Sequence, residues 1–127
     1  MRLFLVRHAE AAPGEPDDLR PLTDAGREAA RVLGESIAAH EPRTVICSPL
    51  LRARETASAI AKAAGVQAEP DERLAPGATL DDLREALGGR EHPVVAVGHH
   101  PDCSEIMRAL TGEDRQFAPG DAAELEL

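Results

Sequence analysis

Three short aliphatic runs, each followed at once by a polar cluster, constrain the fold of this chain more than any other feature. They occupy residues 2–6, residues 44–47 and residues 94–97. Each is too short for a helix and has no polar residue at every second position, as expected of a strand buried on both faces. Stretches of helical periodicity separate them. Strand and helix therefore alternate, which calls for a mostly parallel sheet with helices on both faces. The fold class expected is α/β, a three-layer α/β/α sandwich around a mostly parallel central sheet.

The connecting segments can be placed from their end signals. Residues 9–22 contain Pro13, Gly14, Pro16 and Pro21 without a period and read as a loop. Thr23 is a good N-cap for a helix from Asp24 to about His40, with an expected apolar stripe of Ala29, Val32, Leu33 and Ile37. Ser48-Pro49 reads as an N-cap followed by proline at the first helical position, opening a helix to about Ala64 that Gly65 stops. Residues 66–69 are expected to form a short strand and residues 70–78 a loop. Thr79 to Asp82 resembles a capping box for a helix with Leu80, Leu83 and Leu87 on one face, ended by Gly88-Gly89. Another helix follows Pro101, with Cys103, Ile106, Met107 and Leu110 on one face and Gly112 as its stop. Alternation in Ala123, Leu125 and Leu127 predicts a last, edge strand. A single domain over residues 1–127 accounts for the whole pattern, without an internal repeat.

Composition narrows the function. With 14 Lys and Arg against 23 Asp and Glu, the formal net charge is −9. Nucleic acid and anionic membranes both need a basic footprint, so neither is expected as a partner. A small anionic group is different, because it feels nearby arginines more than the net charge. Cys47 and Cys103 are too few and too far apart in sequence for a disulfide framework. No apolar stretch approaches a membrane span or a signal-peptide core, and the two cysteines fit a reduced setting, so a cytoplasmic location is expected. The chain is expected to act as a monomer.

In open parallel sheets, ligands bind beyond the carboxyl ends of the strands. Arg7-His8 follows the first run, Ser48 to Arg54 the second and His99-His100 the third. If these strands are neighbours, the three clusters meet. A neutral imidazole is a competent nucleophile toward phosphorus. Arginine presents a fixed fork of donors that matches phosphate oxygens. Arg52, in the first turn of its helix, should lean back toward the helix N-terminus, where free amides also favour an anion. A protonated second histidine would stabilise the charge that develops during transfer. Two arginines and an imidazolium would then replace the metal ions many phosphoryl-transfer enzymes use, and no metal or cofactor is expected.

The same residues carry a family resemblance. Leu5-Val6-Arg7-His8-Ala9-Glu10 resembles the RHG/RHA signature of the histidine phosphatase superfamily, which has a phosphoglycerate-mutase-like fold. Pro21-Leu22-Thr23-Asp24-Ala25-Gly26 is similar to its PLT-x-x-G helix start. Ser48-Pro49-Leu50-Leu51-Arg52-Ala53-Arg54-Glu55-Thr56-Ala57 resembles its SPLxRAxxTA segment. Val97-Gly98-His99-His100-Pro101 resembles the segment around its second histidine. The four motifs stand in family order, and the wording Arg20-Pro21-Leu22-Thr23 is most similar to the SixA-type phosphohistidine phosphatase branch. The resemblance implies a metal-independent phosphohydrolase in which His8 becomes phosphorylated, Arg7 and Arg52 hold the phosphate, and His99 is the second active-site histidine. It extends a substrate-binding role to Arg20, Ser48 and His100. The implied substrate is a protein phosphohistidine. The alternatives are a small phosphorylated metabolite, cleaved as a phosphate ester, and a phospho-ligand-binding module without turnover.

One family element has no secure counterpart. Many members carry a glutamate after the third strand that protonates the leaving group, and Glu72 is the candidate general acid here. A phosphoramidate needs less of such help, because imidazole is less basic than an alkoxide. The length leaves little room for the insertions that enclose a sugar phosphate in the mutases. Other polar residues have plainer readings. Arg54 and Glu55 read as surface charge and Cys47 as core packing, while Glu10 reads equally as a residue near the site or as a plain loop carboxylate. A zinc site at His99, His100 and Cys103 lacks a fourth ligand of sensible spacing.

Overall fold

The alternation read from sequence builds a five-stranded sheet in a computed structural model that describes residues 1–127. The strands are β1 (Arg2–Arg7), β2 (Thr44–Cys47), β3 (Ala68–Pro70), β4 (Val94–Gly98) and β5 (Ala122–Glu126), in the order β3-β2-β4-β1-β5. The first four are parallel to one another, and β5 runs antiparallel along the edge of β1. Helices α1 (Asp24–Ala38), α2 (Leu51–Ala64), α3 (Leu80–Leu87) and α4 (Asp102–Thr111) supply the outer layers.

Successive residues of β1 point to opposite faces. Leu3 and Leu5 join Ile46, Val94 and Ala96 in a core covered by Leu83 and Leu87 of α3 and Cys103, Ile106 and Met107 of α4. Phe4 and Val6 join Val45, Cys47, Val95 and Val97 in a second core under Ile37 of α1 and Ala53, Ala57 and Ile60 of α2. Both faces of the sheet are thus dry. This is why the three runs lack alternation, and it gives the three layers.

Two helix expectations are corrected. In α1 the buried residues are Gly26, Ala30, Gly34 and Ile37, whereas Val32 is 51% exposed and Ala29 lies in solvent. Small residues face α2 because the two helices approach too closely for larger ones. A methyl group at Gly34 would lie 2.8 Å from the Ala59 carbonyl oxygen. Helix α2 begins at Leu51, not directly after Ser48, and its N-cap Leu50 makes no side-chain cap. Ser48 is diverted to another task, described below. The helix around 80–87 does open with the capping box, Thr79 and Asp82 exchanging bonds with each other's backbone. Residues 72–74 form a single 3-10 turn inside the expected loop.

Candidate active site

Strand order decides the site. β4 lies between β1 and β2, so the three polar clusters leave three adjacent strands at their carboxyl ends. Adjacent strands are about 4.8 Å apart, which brings side chains from all three within one phosphate-sized space.

His8 is fixed at the end of β1 by its neighbours. Its amide donates to the Gly98 carbonyl (3.0 Å) and its carbonyl accepts from Gly120 (3.0 Å). The next amide, Ala9, donates to the buried Thr56 hydroxyl (3.0 Å), which in turn donates to the Arg52 carbonyl (2.9 Å). The His8 ring places Nδ1 2.7 Å from the Ala9 carbonyl oxygen. A carbonyl only accepts, so Nδ1 carries the proton and Nε2 presents its lone pair. Burial pushes the imidazole below its ordinary pKa. The Ala9 bond opposes that shift, and the charges of Arg52, Arg7 and Arg20 reinforce it. His8 is therefore a neutral imidazole at neutral pH.

His99 follows β4 and is almost wholly buried. Its ring lies edge-on to that of His8, with centroids 5.3 Å apart. Nε2 is 2.7 Å from the Ser48 hydroxyl oxygen, while Nδ1 has no partner. Burial first, then the nearby charges of His8 and Arg52, push its pKa down to about 4. Ser48 is itself fully buried, and its oxygen also accepts from the Leu50 amide (3.2 Å). The residue read as a helix cap thus orients the second histidine.

The arginines are anchored on carbonyls and a carboxylate. Arg7 donates from Nη1 to the Phe117 carbonyl (2.7 Å), and its buried Nε has no partner. Arg52 is 8% exposed and donates to the Asp17 carbonyl (2.8 Å) and to Asp17 Oδ2 (3.2 Å). Arg20 donates from Nε to the Ala12 carbonyl (2.8 Å) and from Nη1 to Asp17 Oδ1 (3.0 Å). Two buried nitrogens without partners, Arg7 Nε and His99 Nδ1, thus belong to this one cluster. Unmade bonds of this kind are costly unless a ligand completes them.

Other polar residues singled out in the sequence make no side-chain hydrogen bond to these residues. His100 is exposed and makes no side-chain hydrogen bond. Glu72 stands exposed on the 3-10 turn after β3, with no side-chain hydrogen bond or ion pair. The structure links His8, Arg7, Arg52, His99, Ser48 and Arg20 through ring contact, hydrogen bonds and mutual charge, while His100 and Glu72 make no side-chain hydrogen bond to any of them. His99, His100 and Cys103 do not converge either, since the Cys103 thiol donates to the Val6 carbonyl and burial pushes it up to about 12. Glu55 is more than surface charge, because it accepts from the Leu22 amide (2.7 Å) and ties α2 to the loop before α1. Glu10 accepts from the Thr23 hydroxyl (2.8 Å) and serves the start of α1. A concavity of about 880 Å³ forms an open groove between α1 and α2 and includes none of the cluster.

Three supports escaped the sequence reading. Phe117 supplies the carbonyl for Arg7 from a segment without periodicity, which gave no signal. Asp17 was one more carboxylate in a polar loop. Asp102, at the start of α4, accepts from the Gly77 amide (2.8 Å) and holds the loop before α3; only its position next to Pro101 hinted at such a role.

Comparison with known proteins agrees with this geometry. The family model of the histidine phosphatase superfamily (branch 1) matches residues 3–76. An uncharacterized protein of Picosynechococcus sp. is 33% identical over 121 residues, covering 87% of this chain and 73% of its own. The protein histidine phosphatase SixA complexed with tungstate superposes with a TM-score of 0.87 at 25% identity, covering all of this chain and 88% of that one. A protein assigned as the phosphohistidine phosphatase SixA from Agrobacterium tumefaciens gives 0.84 at 27% identity, covering 98% and 90%. The motif residues, the sheet order that joins them and these matches have one reading: the chain belongs to branch 1 of the histidine phosphatase superfamily.

Proposed function

We propose that this enzyme is a phosphohistidine phosphatase of the SixA type, working through a phosphoryl group carried on His8. One observation carries the mechanism: the Ala9 carbonyl fixes the His8 proton on Nδ1, leaving a neutral Nε2 among guanidinium groups. Nε2 attacks phosphorus, and the P–N bond of the substrate breaks as the new P–N bond forms. The departing imidazole takes the bonding pair and a proton from water. Arg7 and Arg52 hold the phosphoryl oxygens, and Arg20 stands beside Arg52 through Asp17. A proton taken up by His99 on phosphate binding would add a further donor at the charge that builds. In the second step water attacks the His8 phosphoryl group, giving inorganic phosphate and the free imidazole.

The likeness to SixA proteins supports the substrate class. The test is to incubate the protein with a phosphohistidine-bearing protein in the presence of EDTA, quench, and map the trapped label. A label on His8, and loss of turnover in His8→Ala, are expected. Undiminished turnover in His8→Ala overturns the mechanism. Faster turnover of metabolite esters than of phosphohistidine would replace the substrate class while keeping His8.

A further inference from the structure

A carboxylate stands at the mouth of a site built to take an anion. Both oxygens of Asp17 are held by arginines of the cluster, Oδ1 by Arg20 (3.0 Å) and Oδ2 by Arg52 (3.2 Å). The Arg52 side chain is 9% exposed and that of Asp17 is 62% exposed. Asp17 therefore lies between the Arg52 guanidinium and solvent. The hydrogen bond from Arg20, followed by the charge of Arg52, holds its carboxyl below the usual range, so it is ionised at neutral pH. Its charge is also felt at His99.

Displacement at phosphorus is roughly in line, so the leaving group points away from His8. Asp17 is bonded to both Arg20 and Arg52 and is largely exposed, so it stands where a substrate held by those arginines meets solvent. A second anionic group on the substrate would meet the Asp17 carboxylate there. A phosphoimidazole protonated on its free ring nitrogen is cationic there and would meet a complementary charge. Like-charge juxtaposition is an effective device for rejecting wrong partners.

We infer that Asp17 determines specificity: its carboxylate, bridged to Arg20 and Arg52, favours phosphoryl donors with a neutral or cationic leaving group and rejects donors with a second anionic group. This inference rests on the phosphatase reading of His8 and adds the selection of the leaving group. It assigns Asp17 a charge-dependent role toward substrate, beyond holding the loop.

The test compares kcat/KM for phosphoimidazole, phenyl phosphate and phosphoglycolate in the native enzyme, Asp17→Asn and Asp17→Glu, at one ionic strength. In Asp17→Asn the preference for phosphoimidazole over phosphoglycolate should fall by about tenfold, and Asp17→Glu should keep most of it. The phenyl phosphate value should lie between. A single common factor for all three substrates, or an unchanged preference, overturns the inference, because a loop tie or a competing anion affects every phosphoryl group alike. Phosphate trapped on His8 in the native enzyme separates the two levels. With that label present and the preference unchanged, only the role of Asp17 fails; without it, the phosphatase reading fails as well.

Discussion

The imidazoles of His8 and His99 meet at 62° with their centroids 5.3 Å apart, and only His8 has a backbone carbonyl to fix its proton. His99 is held instead by the Ser48 hydroxyl, which both donates and accepts. One ring is thus locked as a nucleophile, while the other can change its protonation without losing its partner. Two rings this close share their titration, since a charge on either disfavours a charge on the other.

The first prediction concerns pH and rate. Nucleophilic attack needs neutral His8, whose pKa is lowered by burial and by the charges of Arg52, Arg7 and Arg20. The acid limb of kcat/KM should lie below the ordinary imidazole value of about 6.5. Arg52→Gln should move that limb upward, whatever it does to the rate. Profiles from about pH 4 to about pH 8, corrected for ionisation of the substrate phosphate, check both statements. A limb at or above the ordinary imidazole value contradicts the first.

A second prediction concerns pH and stability. His99 has a folded pKa of about 4, so it takes its proton later than in the unfolded chain. Between that value and about 6.5 the unfolded state binds more protons, so stability rises with pH and is lost on acidification. From pH 7 to pH 5 this one group should cost about 2 kcal/mol. His99→Gln should flatten the decline by a similar amount, read from urea midpoints at the two pH values. An identical decline in both proteins would assign it to other groups.

Legibility followed periodicity. β1, β2 and β4 announced themselves because both faces are buried, and the Thr79 capping box needed only local chemistry. The α1 stripe holds at Ile37, which is buried, and at Leu33, which packs on the same core, but not at Ala29 or Val32. The rest of the packed face is Gly26, Ala30 and Gly34, where small size rather than apolarity matters. Ser48 carried two compatible meanings, cap and ligand for His99, and no spacing rule separates them. The pieces that orient the arginines, the Phe117 carbonyl and Asp17, come from aperiodic loops whose partners lie far away in sequence. The histidines and arginines themselves were visible as polar residues directly after buried strands.

Gly26 gives a prediction that links fold to site. A methyl group there would lie 2.1 Å from the carbonyl oxygen of Glu10, two residues after the nucleophile. The atoms it meets are backbone, so no side chain can yield. Gly26→Ala should destabilise by about 1–3 kcal/mol as an overpacking change. It should also lower kcat, because the segment that must move begins at Ala9, whose carbonyl fixes the His8 proton. The exposed neighbour Ala25→Ser should change stability by less than about 0.5 kcal/mol. Equal stability of the two variants in urea would show that the loop yields without cost.

Ser48 provides the sharpest test of how the second histidine is held. Its hydroxyl is the only partner of the buried His99 ring, whose Nδ1 already has none. Ser48→Ala leaves both ring nitrogens unpaired and should cost about 1–3 kcal/mol of stability. Turnover should fall by about 10–100-fold through loss of ring orientation, a positioning effect. If Ser48 acts through His99, the two changes will not add. In a His99→Ala background, Ser48→Ala should have little further effect on kcat, giving a large coupling in a double-mutant cycle. Additive losses would mean instead that the hydroxyl meets the phosphoryl group directly, as a binding residue in its own right.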